Sequence, residues 1–273
     1  MSRIAATFQA LRQAGRAGLI PFVEAFDPSR AVTLELLNGM AGHGADIIEI
    51  GMPFTDPMAD GPTIQAAARR GLQAGATLRG VLGIVREFRA GNDHTPLVLM
   101  GYLNPILSYG VEAFAQDAAQ AGVDGLIVVD LPTEESGLLL PIAEANGLDV
   151  IRLIAPTTSD ERLPKVLMGS SGFVYYVSIT GITGTRTASA ADLARDIPRI
   201  RRVTTLPIAV GFGVRTPEQA AIVAAHADAA IVASALIDTL CQAGVAAVLE
   251  EVGALAAGIR QPAIASAVCG GLV

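Results

Sequence analysis

At 273 residues, with 26 acidic against 19 basic side chains and a net charge of −7, the chain is not built to bind a phosphate backbone, which requires clustered Lys and Arg. Its two cysteines, Cys241 and Cys269, are too few for a disulfide framework and point to a reducing compartment, so a cytoplasmic protein is expected. The longest apolar stretches, such as Ala229 to Ile237, stop short of the roughly 18 residues a membrane span needs, so neither a nucleic-acid nor a membrane partner is expected.

The chain opens with Ile4, Phe8 and Leu11 at helical spacing and Arg3, Arg12 and Arg16 between them, which predicts an amphipathic helix over residues 1–16. A transit peptide shares that composition, but the continuous apolar core of a secretory signal is missing. Eight short apolar runs follow, at 18–23, 46–51, 96–100, 125–130, 149–154, 173–178, 207–211 and 229–233. Several are apolar without alternation, Leu126-Ile127-Val128-Val129 for example, as parallel strands covered on both faces should be. Helical patterns separate them, with Pro28, Pro62 and Pro217 near helix starts and Gly122 and Gly147 where C-caps belong. Asp46, Asp124 and Asp228 each precede an apolar run, a faint internal repeat of one αβ corner. No linker or low-complexity segment divides the chain, and a (β/α)₈ barrel needs roughly 250 residues. The expected fold is α/β, a TIM barrel with an extra N-terminal helix, forming one domain over 1–273 with a loose tail at 265–273. An open doubly wound sheet is the second reading, which eight units and the lack of an early Gly-x-Gly-x-x-Gly disfavour.

Chemistry concentrates in residues 49–65. Glu49 sits among Ile47, Ile48, Ile50 and Met52, where desolvation should raise its pKa. Asp60 follows in a Gly/Pro-rich turn, where water or backbone N–H groups should keep it ionised. Two carboxylates in unlike settings suggest an acid and a base. The only lysine, Lys165, falls in a predicted outer helix over Asp160–Met168, which disfavours Schiff-base chemistry. His43, His94 and His226 are scattered, so no metal site or Ser-His-Asp arrangement is evident. Three Gly- or Ala-rich segments, Thr180 to Arg186, Gly211-Phe212-Gly213 and Ala233-Ser234-Ala235, end the last strands and suggest a backbone cradle for an anion, with Phe22, Tyr175 and Phe212 available for an apolar pocket.

The motifs Pro53 to Gln65, Tyr102-x-Asn104-Pro105-Ile106, Asp130-Leu131-Pro132, Ala155 to Thr158, Phe173 to Gly184 and Gly211-Phe212-Gly213 together resemble the α subunit of tryptophan synthase, over residues 8 to about 240. The resemblance implies a lyase that cleaves indole-3-glycerol phosphate by retro-aldol chemistry and passes indole to a β subunit in an α₂β₂ assembly, with pyridoxal phosphate in that partner and no cofactor in this chain. Carried over, it implies Glu49 as the proton shuttle and Asp60 as the partner of the indole N–H. It implies an indole pocket of Phe22, Met100, Tyr102, Ile127, Leu153, Tyr175, Thr183, Phe212 and Ile231. Gly184, Gly211, Gly213, Ala233 and Ser234 would hold the phosphate, and Asp56, Asn104 and Pro132 would meet the partner. Loops 53–60 and 179–187 resemble mobile closing loops.

The chain also departs from the family pattern. Phe22-Val23-Glu24-Ala25-Phe26-Asp27-Pro28 stands where Phe-x-Thr-Ala-Gly-Asp-Pro is usual, which should add a carboxylate and a large ring beside the mouth. Ala233 replaces a glycine, and Gly101 and Leu103 replace a bulkier pair around Tyr102. A stand-alone or specialised paralogue releasing free indole, and a non-catalytic regulator of a β-type enzyme, are the competing readings.

Overall fold

A computed structural model describes residues 2–177, 189–211 and 213–260. The apolar runs become nine parallel strands, β1 (Gly18–Glu24), β2 (Ile48–Gly51), β3 (Leu97–Gly101), β4 (Gly125–Val128), β5 (Asp149–Val150), β6 (Arg152–Ile154), β7 (Val174–Val177), β8 (Ile208–Gly211) and β9 (Ala229–Val232). They lie in the order β5-β4-β3-β2-β1-β9-β8-β7-β6. Segments β5 and β6 are halves of one stave broken at Ile151, whose N–H reaches Leu126 O of β4 at 3.0 Å, while Ser171 N–H ahead of β7 reaches Val150 O at 3.0 Å. The two ends of the sheet meet at that residue, so the nine segments make the eight staves of a TIM barrel.

The described helices are α1 (Arg3–Gln13), α2 (Arg30–Gly42), α3 (Pro62–Gln73), α4 (Leu78–Gly91), α5 (Leu103–Tyr109), α6 (Val111–Ala121), α7 (Leu140–Ala145), α8 (Leu163–Val166), α9 (Ala190–Arg201), α10 (Pro217–Ala224) and α11 (Ser234–Arg260), with a 3₁₀ turn at Thr133–Leu138, and all but α1 lie outside the barrel. Pro62 and Pro217 open α3 and α10, and Gly122 caps α6 in the left-handed region. The helix expected over Asp160–Met168 is shorter. Ser159 bonds the N–H groups of Arg162 and Leu163 and so delays its start, and Gly169 at φ +72° follows its end.

Helix α1 belongs to the barrel interior rather than to the outer ring. Its Ile4, Phe8 and Leu11 join Ile20, Ile47, Val98, Ile127, Ile151, Phe173, Ala209, Ala229 and Ile231 in one cluster, with the Phe8 and Phe173 rings 5.8 Å apart. It therefore plugs the N-terminal end of the barrel. The repeated aspartates explain themselves at the same end. Oδ2 of Asp46 accepts from Leu19 N–H at 2.9 Å, that of Asp124 from Leu97 N–H at 2.8 Å and that of Asp228 from Ile208 N–H at 2.8 Å. Each thus satisfies a backbone donor on the neighbouring strand that has no strand partner of its own at that corner. Arginines complete the corners, Arg16 on Asp46, Arg89 and Arg3 on Asp124, and Arg201 on Asp228.

The 27-residue α11 is, by length and composition alone, long and apolar enough to cross a membrane, which the short apolar runs had not suggested. Its helix is interrupted at Gly244 (φ 80°), and Ala235, Leu236, Ile237, Val248, Val252, Leu255 and Ile259 are buried, so one face is spent on the barrel.

The Asp124 corner is buried on both sides, with side-chain exposures of 4% for Asp124 and 9% for Arg89, and losing one partner leaves the other charge stranded. Asp124→Asn should therefore cost about 3 kcal/mol or more in denaturant unfolding. Removal of Glu87 from its exposed pair with Arg30 should barely move the unfolding midpoint in the same measurement, because water screens that pair.

Candidate active site

Strand pairing sets Phe22 beside Glu49 and Glu24 beside Gly51, Met100 beside Ile127, Leu153 beside Tyr175 and Gly211 beside Ile231. Ile48 and Ile50 belong to the outer core, so alternation turns Glu49 and Gly51 inward. Phe22, Met100, Ile127, Leu153, Tyr175 and Ile231 consequently meet inside the barrel, the first, third and last of them buried. Thr183, Gly184, Phe212 and the 179–187 loop lie outside the described residues.

Glu49 is 1% exposed, and its Oε2 has no hydrogen-bond partner among the described residues. Desolvation first, and the charge of Asp60 second, push its carboxyl up to about 8. Tyr175 feels the same surroundings: burial, then the charges of Glu49 and Asp60, raise its phenol well above the usual range.

Asp60 sits on the loop between β2 and α3, but not as a solvated turn residue. Tyr102 O–H donates to its Oδ2 at 2.8 Å, and the same phenol oxygen accepts Ala59 N–H at 3.0 Å. Burial raises the Asp60 pKa and the Tyr102 hydrogen bond opposes that rise. The expectation of a carboxylate kept ionised by water or backbone N–H groups is thus corrected, because the loop folds inward and its partner is a phenol at the end of β3. Phe54 stacks on Tyr102 with ring centres 5.4 Å apart, and Gln65 Nε2 donates to the Asp60 carbonyl at 2.8 Å.

The two departures in the β1 segment part company. Glu24 turns inward and lines one cavity with Phe22, Phe54, Asp60, Met100 and Tyr102. Phe26 does not stand beside the mouth. It holds φ at 65°, and its ring packs outward so closely on α4 that a Cβ at Gly80 would lie 2.7 Å from its Cζ. A left-handed conformation costs a non-glycine residue about 1–2 kcal/mol, which burial of the ring to 6% exposure offsets. Next to it Asp27 accepts both Arg70 Nε at 2.6 Å and Nη2 at 2.7 Å, tying the β1 loop to α3.

Across the rim, adjacent strands β8 and β9 bring Gly211, Gly213, Ala233 and Ser234 to neighbouring ends. Gly213 uses φ +66°, open to glycine, and Ser234 opens α11, whose first N–H groups and dipole favour an anion. The Ala233 methyl packs against the cluster of Phe22, Ile64, Ala67 and Ile237. Asp56, Asn104 and Pro132 are all exposed, on the segments after β2, β3 and β4. The same segments expose Met58, Leu107 and Leu138, three of the six large hydrophobics exposed among the described residues.

His43 and His94 are exposed and Lys165 lies on α8 in the outer layer. No group of three or more His, Cys, Asp or Glu residues that could hold a metal occurs among the described residues. What remains at the strand ends is a desolvated carboxyl able to give or take a proton near neutrality, a second carboxylate held by a phenol, and an apolar chamber between them.

Such a parallel barrel, with its carboxylates at the C-terminal rim, has the makings of an enzyme of acid–base chemistry. Comparison with known proteins gives the particular family. The tryptophan synthase alpha chain family profile matches residues 8–261. The tryptophan synthase alpha chain of Acidiphilium cryptum is 72% identical over 270 residues, covering 95% of this chain and 98% of the relative. That of Granulibacter bethesdensis is 62% identical, covering 95% and 97%. Among solved structures, the tryptophan synthase subunit alpha from Legionella pneumophila superposes with a TM-score of 0.89 at 38% identity, covering 95% and 98%. A Mycobacterium tuberculosis tryptophan synthase structure gives a TM-score of 0.89 at 38% identity, covering 95% and 99%. The chain belongs to the tryptophan synthase alpha chain family and is a lyase of tryptophan biosynthesis.

A carboxyl that titrates near 8 when folded and at 4.5 when free binds more protons in the native than in the unfolded state between those values. Stability from this group is therefore lost as pH rises through that window, at about 1.4 kcal/mol for each pH unit. Glu49→Gln should melt progressively higher than wild type as pH is raised from 5 to 8, and the difference should level off above that. A constant difference across that range would contradict the raised pKa.

Proposed function

We propose that the chain cleaves indole-3-glycerol phosphate to indole and glyceraldehyde 3-phosphate, with Glu49 carrying the protons. The carrying observation is the Glu49 carboxyl, buried, with Oε2 unpartnered among the described residues and its pKa near 8. A group that must both donate and accept in one cycle is most effective with a pKa close to ambient pH. In its protonated form Glu49 delivers a proton to indole C3, which interrupts the aromatic ring and leaves a C2=N iminium as the electron sink. Glu49, now ionised, takes the proton of the hydroxyl on the carbon attached to C3. That carbon becomes the aldehyde as the C–C bond breaks, and the bond pair restores the aromatic ring. The enzyme ends with the proton count it began with.

Asp60 accepts the indole N–H and stabilises the positive charge that C3 protonation places on the ring nitrogen. Tyr102 aims it. Phe22, Met100, Ile127, Leu153, Tyr175 and Ile231, with Thr183 and Phe212 from the family pattern, surround the ring. Gly184, Gly211, Gly213, Ala233 and Ser234 receive the phosphate through backbone N–H groups and the α11 dipole. No cofactor is needed in this chain, and pyridoxal phosphate belongs to the β partner. The exposed Met58, Leu107 and Leu138 beside Asp56, Asn104 and Pro132 support a β subunit docked over the β2 to β4 loops, in an α₂β₂ assembly in the cytoplasm.

Glu49→Gln should lower indole release from indole-3-glycerol phosphate by about a thousandfold or more, the scale of losing general acid–base catalysis, while calorimetry still detects phosphate-ligand binding. Indole release at the wild-type rate would sink the assignment. Adding a β subunit to the wild-type chain should raise the rate. No gain would favour a stand-alone lyase, and no indole under either condition would favour a regulatory partner.

A further inference from the structure

Glu24 closes β1 at the rim and is 5% exposed. Its carboxyl occupies the space over Gly51, where a Cβ would lie 2.2 Å from Oε2 and 2.8 Å from the Cδ of Glu24. It lines the same cavity as Asp60 and Tyr102. Among the described residues its carboxyl has neither a hydrogen-bond partner nor an ion pair.

The groups around it offer no compensating charge. Asp27, on the following loop, is taken by both arms of Arg70 from α3. Asp60 is held by Tyr102 at the end of β3, Glu49 shares the neighbouring strand, and Asp238 of α11 is paired with Arg215 at 3.0 Å. Two carboxyls, Glu24 and Asp60, thus line one chamber, and no cation stands among the described residues that line it. Burial, then the charge of Asp60, then that of Asp27, hold Glu24 well above the ordinary carboxyl range, so it enters the site neutral, as an O–H donor and a C=O acceptor.

We infer that Glu24 is a further substrate-binding residue of this site, presenting an uncharged carboxyl to the ring edge near β1 and selecting ring substituents that can hydrogen-bond to it. The inference rests on the reading of the cavity as the indole pocket and goes beyond it. Plain indole leaves the Glu24 carboxyl unpartnered. An indole with a hydroxyl on the edge near β1 satisfies it, and a ring carrying a negative charge there is rejected by the charge of Asp60.

The chain contains no tryptophan, so binding of indole and of the positional series of monohydroxyindoles can be followed through the fluorescence of the ring itself. One hydroxyindole isomer should bind wild type about tenfold better than indole does, the scale of one hydrogen bond. Glu24→Gln, which keeps the shape and an uncharged donor, should keep that ratio within about threefold. Glu24→Leu, checked for an unchanged melting curve, should bring it to about one, and Glu24→Met serves if the leucine variant fails to fold. Ratios that are the same in wild type and the apolar variant would reduce Glu24 to packing. A glutamine variant as unselective as the apolar one would mean that the residue acts in its charged form. Either result overturns the inference while indole release by wild type continues. Wild type that neither binds nor releases indole would instead overturn the reading of the pocket.

Discussion

The constraint on which the rest depends is that a parallel barrel leaves backbone donors at the N-terminal ends of its staves, in buried or part-buried corners where each needs a fixed acceptor. Asp46, Asp124 and Asp228 meet it three times, each carboxylate taking a strand N–H with one oxygen and an arginine beside it. These corners hold the staves in register. Register in turn decides which inward side chains become neighbours at the other end, since a one-residue slip would turn Glu49 out of the barrel and Ile48 or Ile50 into it.

The distribution of charge follows from the same arrangement. Arginines Arg3, Arg16, Arg89 and Arg201 are spent at the base, and Arg70 and Arg215 are bound to Asp27 and Asp238 at the rim. Among the described residues, the chamber between is left with carboxyls and apolar walls. With no cation among those residues, Glu49 and Glu24 are held protonated by desolvation, and Asp60, supported by the Tyr102 hydroxyl, is the one best able to carry negative charge. Division of labour among three carboxyls is therefore a consequence of which hydrogen bonds reach them, not of residue type.

The loop carrying Asp60 has two faces. Inward, Phe54 and Asp60 hold on to Tyr102. Outward, Asp56 and Met58 stand exposed. Anything that docks on the outer face acts directly on the segment that positions Asp60, which gives a physical route by which a partner can couple to the chemistry. The close approach of α3 to the β1 loop, where a Cβ at Gly71 would come within 2.5 Å of Ala25 O, stiffens the other end of that segment.

Much of this was legible in the chain itself. Strands covered on both faces need apolar runs, and each run expected from composition lies within two residues of an observed strand. The spacing of Ile4, Phe8 and Leu11 announced a helix, and the triple Asp pattern announced a repeated corner. The setting of Glu49 among isoleucines announced its raised pKa, because local burial is a property of the strand that carries the residue. Only the tertiary structure decided that Asp60 rests on Tyr102, which is 42 positions away, that Phe26 turns outward against Gly80, and that Glu24 fills the space over Gly51. Periodicity tells which side of its own strand a side chain takes. What it meets there depends on the stagger of strands and the path of loops distant in sequence, and those are set by the closure of the whole barrel.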